Sequence, residues 1–431
     1  MPDSRGLLYR DLDPHSAHLY RLLGCWPATT VDLGVIAAVL DCARDEAERS
    51  ALALQTAGAL HAAGPRRWSR DPVVRAHQQS LAGDVAAADA GAVRRRIGEF
   101  YWTWAGEADR RLSPHHDQHA AHIPSYRPTA TPTFTAAEAL DWLESEADNV
   151  VVAARVTLIA GYPQLAWELL DRLRPVLAHR RSKAHDAGDW LFLTAAETVG
   201  EPALIAASMT RLGVTLRWSQ RFSEAIQVLA RARDIWNDLG GRGNAADVGT
   251  QIALVHLAAG NARAAVEQLR RHLASHESIG SPARTVALVR IELAAALLAT
   301  NTASNAPLAR EQAAHASRPL TELPDRFNAA RAQVVLGRAH AACAWGDDAP
   351  AELSAAQELI EQALDQLREV GAHGEVAEAL MALAPVEQRR GTLRARALYT
   401  EAGEIFSVLG SSRSADAFRQ RSALPAVGTA R

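Results

Sequence analysis

Residues 212–240, LGVTLRWSQRFSEAIQVLARARDIWNDLG, decide how this 431-residue chain is read. Apolar residues recur at helical spacing on either side of the short break WSQRF (218–222), and the second run closes on an apolar residue followed by glycine. The same ending recurs at Ala274–Gly280 (ASHESIG), Gln366–Gly371 (QLREVG) and Glu404–Gly410 (EIFSVLG). Gly240 and Gly280 are 40 residues apart and Gly371 and Gly410 are 39 apart; the 91 between Gly280 and Gly371 leave room for two units and an insertion. A period near 40 in helical sequence marks a stack of helix hairpins. Such stacks recognise partners along an extended surface, so binding rather than catalysis is expected.

The unit register supports this. Leu212-Gly213, Leu216, Ala225, Leu229 and Ala232 fall where tetratricopeptide repeats place their small and large packing residues, and the segment resembles that family. Small residues at 213, 225 and 232 let two helices approach, while Leu216 and Leu229 fill the space between them. Ile252-Ala253, His256, Ala265 and Leu269 repeat the pattern around a turn at Ala258–Asn261, and a degraded unit follows at Ala287–Ala316 with its turn lengthened by Thr300–Pro307. Leu336-Gly337 and His340 open another, with Ala356, Ile360 and Ala363 on its second helix and an expanded turn at Trp345–Leu353. The last runs through Leu383-Ala384, Ala395, Tyr399 and Ala402 to Gly410.

Composition narrows the function classes. The balance of 46 basic and 49 acidic residues, net −3, gives no global field toward nucleic acid or anionic membrane. Cys25, Cys42 and Cys343 have no ligand-like spacing, which implies a reduced, cytoplasmic setting. No apolar run reaches the length of a membrane span, so no membrane partner is expected.

The first 82 residues have a different texture. Pro14–Leu23, Leu33–Leu40 and Glu46–Ala63 read as three helices; Gly64–Arg70 (GPRRWSR) reads as a two-stranded wing, and Pro72 as a helix start. This describes a winged helix. Ala17–Pro27 (AHLYRLLGCWP), Arg67–His77 (RWSRDPVVRAH) and Glu138–Ala154 (EALDWLESEADNVVVAA), in that order, are similar to motifs of SARP-type antibiotic regulators and related signal-transducing NTPases of actinobacteria. The resemblance implies an all-α chain with a winged-helix-like domain at 1–82, a helical linker with a Pro/His-rich loop at 83–132, a right-handed tetratricopeptide superhelix at 133–422 and a disordered tail at 423–431. It also implies a role in transcriptional regulation of secondary metabolism, including antibiotic biosynthesis. No G-x-x-x-x-G-K-[ST] loop is present, and the family's nucleotide-facing His-Asp pair falls on Asp71-Pro72, so nucleotide hydrolysis is not expected.

Individual side chains sharpen three alternatives. In the leading one, a protein partner lies along the first helix of each hairpin, where register places Arg217, His256, Arg290 and Arg338, with His340 beside them. In the second, Arg66, Arg67 and Arg70 around Trp68 grip DNA phosphates, although residues 1–112 balance 14 arginines with 14 acids. In the third, the superhelix closes on a small molecule. His115, His116, His119 and His122 have spacing that could hold zinc, but Pro114 and Pro124 bracket them and a solvated linker is the expectation; no metal and no cofactor is assigned. Arg94–Arg96 and His179–Lys183 read as solvated helix faces. Trp102 and Trp104 read as packing the linker helix onto the winged helix. No nucleophile-elbow, zinc-protease or Cys/His pattern is present, so no catalytic residue is assigned.

Overall fold

Asp13 starts the first helix. Its carboxylate accepts the amides of His15 and Ser16, and Pro14 sits where a helix needs no amide hydrogen. In the computed structural model, which describes residues 9–83, 85–114, 116, 121–176, 186–323 and 325–409, α1 (Pro14–Leu22) runs into a 3-10 turn at Leu23–Cys25. Then come β1 (Thr30–Asp32), α2 (Leu33–Leu40), α3 (Arg44–Thr56), β2 (His61–Gly64), β3 (Arg67–Ser69), α4 (Pro72–Ala82) and the 26-residue α5 (Ala87–Leu112). Gly410, His115, His119, the run 179–183 and the tail 423–431 lie outside the described residues.

Two expectations for this region change. The helix expected over Glu46–Ala63 stops at Thr56, because Gly58 adopts a φ of 78° that no right-handed helix continues. The residues after it form β2, and a third strand, β1, joins the sheet. The strand order is β1-β3-β2, all antiparallel, with Val31 and Ala62 both opposite Trp68. Trp68 is therefore a buried centre of the sheet, 4% exposed, and its indole donates to Gln55 Oε1 at 2.7 Å.

Close backbone approach explains the motif RLLGCWP. A Cβ at Gly24 would lie 2.1 Å from the carbonyl oxygen of Gln78, so α4 crosses the turn with no room for a side chain. α5 then meets α2, where a Cβ at Gly34 would strike the Phe100 ring, and Tyr101 stacks on the buried Trp26 at 5.6 Å. α6 (Ala136–Ile159) opens with a capping box between Thr135 and Glu138, and α7 (Pro163–Asp171) follows with proline in its first turn. All of these belong to one compact unit, which takes in the described residues up to Val176 and Thr194–Gly200.

The second unit takes in residues 186–193 and the described residues from Glu201 onward. α8 (Asp186–Val199) is followed by α9 (Pro202–Trp218), α10 (Phe222–Asp238), α11 (Arg242–Ala258), α12 (Ala262–Ser278), α13 (Ala283–Ala299), α14 (Asn305–Glu322), α15 (Arg326–Cys343), α16 (Ala349–Glu369), α17 (His373–Arg389) and α18 (Arg394–Val408). The turns at 218–222 and 258–261 fall where the sequence places them. The two lengthened turns are shorter than read, since α14 starts at Asn305 and α16 at Ala349. Gly240, Gly280 and Gly371 end their helices with φ between 67° and 71°. From α9 onward each helix packs on the next, and first helices of successive hairpins also pack on each other. Ala253, Leu269, Ala294, Ala313 and Ala332 share one continuous core across three hairpins.

Gly24→Ala should lower the unfolding free energy by about 1–3 kcal/mol, because a backbone carbonyl rather than a movable side chain is in the way. Gly91→Ala, in α5 with open space around it, should instead raise it by about 0.5–1 kcal/mol. Chemical denaturation of the two variants checks this; equal midpoints would contradict the crossing.

Candidate functional site

The repeat unit offers an extended face. First helices (α9, α11, α13, α15, α17) lie close enough to touch their successors, whereas second helices stand farther apart and are bridged by long side chains. Arg310 on α14 reaches Glu352 on α16, and Arg368 on α16 reaches Glu401 on α18, both at 2.7 Å. The stack is therefore shorter along its first helices, and side chains that leave the core there converge. Leu257, Leu288, Ala295 and Leu298 are only partly buried on that side of the core. Arg331 on α15 pairs with Glu292 on α13 at 2.7 Å, one first helix to the next. Arg338 lies two helical turns beyond Arg331 on the same face of α15. It is solvent-exposed, yet surrounding protein pushes its pKa down, while the Glu378 carboxylate on α17 pulls it back up.

The five residues expected to line this face separate into two sets. Arg338 is exposed, His256 is half-buried near the end of α11, and Arg217 is half-buried with its guanidinium 5.8 Å from the Trp218 ring. Arg290 instead turns sideways: it donates to Glu277 at 2.6 Å on α12 and to Gln312 at 3.1 Å on α14. His340 bonds Glu352 at 2.6 Å, joining the Arg310 cross-link. Both are held by second helices. Sequence reading missed Arg331, Glu292 and Glu378; the seven-residue step from Arg338 to Arg331 was the available signal.

The arginines around Trp68 are placed very differently from a DNA-gripping set. Arg70 is 3% exposed, and its guanidinium donates to the carbonyls of Leu23, Trp26 and Ala28 and to Gln78 Oε1. Arg67 forms an ion pair with Glu146, a buried carboxylate on α6 that also accepts from Tyr101 Oη at 3.2 Å and Asn149 Nδ2 at 2.7 Å. Arg66 stays outside, at a φ of 55°, 3.6 Å from Glu48. The outward face of α3 beside it carries Asp45, Glu48 and Arg49, which gives a phosphate backbone no net attraction.

His116 and His122, expected to be solvated, are instead bound to carboxylates of the first unit. His122 Nε2 donates to Glu99 Oε1 (2.9 Å), and the amides of Ser125 and Tyr126 donate to the same buried carboxylate at 2.9 and 2.7 Å. Burial alone would raise the Glu99 pKa; the bonds from His122, Ser125, Arg95 and Tyr126 outweigh it and hold it at about 2. His116 lies between Asp109 (2.8 Å) and Asp171 (3.3 Å). Burial pushes its pKa down, but the two carboxylates prevail and raise it to about 9. The two histidines thus pin the stretch to different carboxylates, and no group of three potential ligands forms among the described residues.

Two further expectations change. Arg95 pairs with Glu99, and Arg96 donates to the Ala38 and Val39 carbonyls at the end of α2, so neither belongs to a solvated face. Trp102 and Trp104 face α6 and α7: Trp102 donates to Glu168 at 2.6 Å under the Arg172 guanidinium, and Trp104 lies 5.7 Å from Trp142. Phe100 and Tyr101 make the contact expected of the tryptophans.

Two measurements test this reading. Arg67→Ala should lower stability by about 3 kcal/mol, because Glu146 would be left buried without its cation; an unchanged melting temperature would contradict the pairing. His116 binds its proton more tightly folded, at about 9 against 6.5, so its contribution is full below pH 6.5 and fades as pH rises through 9. The stability gap between the wild type and His116→Gln should be on the order of 3 kcal/mol at pH 6 and close above pH 9. A gap independent of pH would count against the charged bridge.

The tetratricopeptide repeat family matches residues 204–278, from within α9 to the end of α12. Regulatory protein AfsR of Streptomyces griseus is 30% identical over 242 residues, which cover 53% of this chain and 24% of that protein. Regulatory protein AfsR of Streptomyces coelicolor is 28% identical over 170 residues, 38% of this chain and 17% of that protein. The chain thus spans a quarter or less of these curated relatives. Among solved structures, a signal transduction ATPase with numerous domains and a tetratricopeptide repeat sensor, from Pyrococcus horikoshii, is 13% identical. That alignment covers 96% of this chain and 63% of the other, with a TM-score of 0.39. Residues 204–278 therefore carry tetratricopeptide repeats, on a chain similar over half its length to bacterial regulatory proteins.

Proposed function

We propose that this chain is a non-enzymatic, cytoplasmic regulatory adaptor that holds a protein partner on the first-helix face of a right-handed repeat superhelix. The observation that carries the proposal is the exposed guanidinium of Arg338 on the first helix α15, with partly buried leucines on the neighbouring first helices α11 and α13. Partly exposed leucines supply contact area, and Arg338, with Arg217 and His256, supplies selectivity for a partner that presents carboxylates. Arg290 and His340 act behind this face by fixing helix positions.

The likeness to regulatory proteins supports a place in transcriptional regulation, and the resemblance to antibiotic regulators points to secondary metabolism. We read residues 1–82 as a winged helix that works as a structural module. Three helices and a three-stranded sheet suit that reading. DNA contact through Arg66, Arg67 and Arg70 has less support, since Arg70 and Trp68 are buried and Arg67 is bound to Glu146. No helix among the described residues is long and apolar enough to cross a membrane.

The test is affinity capture from a Streptomyces lysate on immobilised wild type, Arg338→Glu and Arg217→Glu. A partner retained by the wild type should be depleted about tenfold or more on Arg338→Glu, with melting temperatures unchanged. Equal retention by all three proteins would sink the proposal.

A further inference from the structure

A cleft of about 380 Å³ opens in the first unit beside the loop that follows the 3-10 turn, between α4 and α6. Thr29, Arg75, Gln79, Asp148, Asn149 and Val152 line it. The two charged residues stand on separate helices, Arg75 on α4 and Asp148 on α6. Among the described residues, neither side chain makes an ion pair or hydrogen bond, and the Gln79 side chain makes none either. Asn149 donates from Nδ2 to Glu146, which leaves its side-chain Oδ1 without a partner among the described residues.

Opposite charges on flexible side chains in one cleft can close into a surface pair, and these two do not. Here the walls are fixed independently. α4 is held by the Asp71 cap and by the backbone crossing at Gly24; α6 is held by the Arg67–Glu146 pair and its own capping box. The guanidinium and the carboxylate therefore line one cleft without pairing, together with the neutral hydrogen-bonding side chains of Gln79 and Asn149.

The chemistry of the walls selects a ligand class. Arg75 offers a planar fork that matches a carboxylate, and Asp148 offers an acceptor for an ammonium group. Asn149 and Gln79 can bond polar atoms between the two, while Val152 and Pro27 cover a short apolar body. Polyanions such as nucleoside phosphates are repelled by Asp148. The volume also sits at the low end of the ~300–1,000 Å³ typical of ligand pockets. We propose that this cleft binds a small zwitterion of the α-amino-acid class, with its carboxylate on Arg75 and its ammonium on Asp148.

The experiment uses the full chain and the proteinogenic L-amino acids as probes. Saturation-transfer NMR at low ionic strength identifies those that bind, and calorimetry measures them; acetate and methylammonium serve as half-ligands. At least one amino acid should bind, and both half-ligands should bind at least about tenfold more weakly. Arg75→Gln and Asp148→Asn, each outside the core, should each weaken the amino acid about tenfold or more while leaving the circular dichroism unchanged. The proposal is overturned if no amino acid gives a transfer signal, or if one binds as well to both variants as to the wild type.

Discussion

The repeat unit depends on how near two helices can come. A Cβ at Gly213 would sit 2.4 Å from Leu229, and one at Gly337 would sit 2.6 Å from Ile360. In both hairpins a large side chain of the second helix fills the space left by a missing one on the first. Interiors are close-packed, so this exchange fixes the distance between the helices as well as filling the core. Ala253 and Ala384 do the same work at their own positions, each fully buried. Repetition of one short contact makes each hairpin a copy of the last and lets first helices gather on one side.

The first unit depends on a different device. Its arginines act as internal cross-links, because a guanidinium can satisfy several carbonyls or a carboxylate at once. Arg70 gathers three backbone carbonyls around the turn, Arg96 finishes α2, and Arg172 donates to the Trp102 carbonyl while lying over its ring at 3.9 Å. Arg389 plays the same part in the repeat unit, donating to the carbonyls of Ala341 and Ala344. A cluster of arginines in the sequence is therefore no measure of basic surface in this protein. Burial of their partners makes each cross-link costly to cut.

The hairpin boundaries were legible because they rest on local rules: glycine after the last helical turn, and proline in the first turn of α4, α7 and α9. The glycine of RLLGCWP was legible as a motif, but its reason, the Gln78 carbonyl 54 residues away, was not. The end of α3 was missed because an apolar run suits helix and strand equally until Gly58 takes a left-handed conformation. The histidines were read as solvated because nothing near them in sequence names Glu99 or Asp171 as partners.

Taken alone, the sequence determined that the chain is built of paired helices with small residues at their crossings, since spacing and residue size are local properties. It also determined that no familiar catalytic pattern is present. Tertiary structure decided which charges are available. Arg67, Arg70, Arg290 and His340 are held by groups distant in sequence, whereas Arg75 lines a cleft between two helices and Arg338 is left exposed on α15. Whether a charged side chain is a cross-link or a contact depends on what folding brings within a few ångströms of it, and that distance is not written in the neighbouring residues.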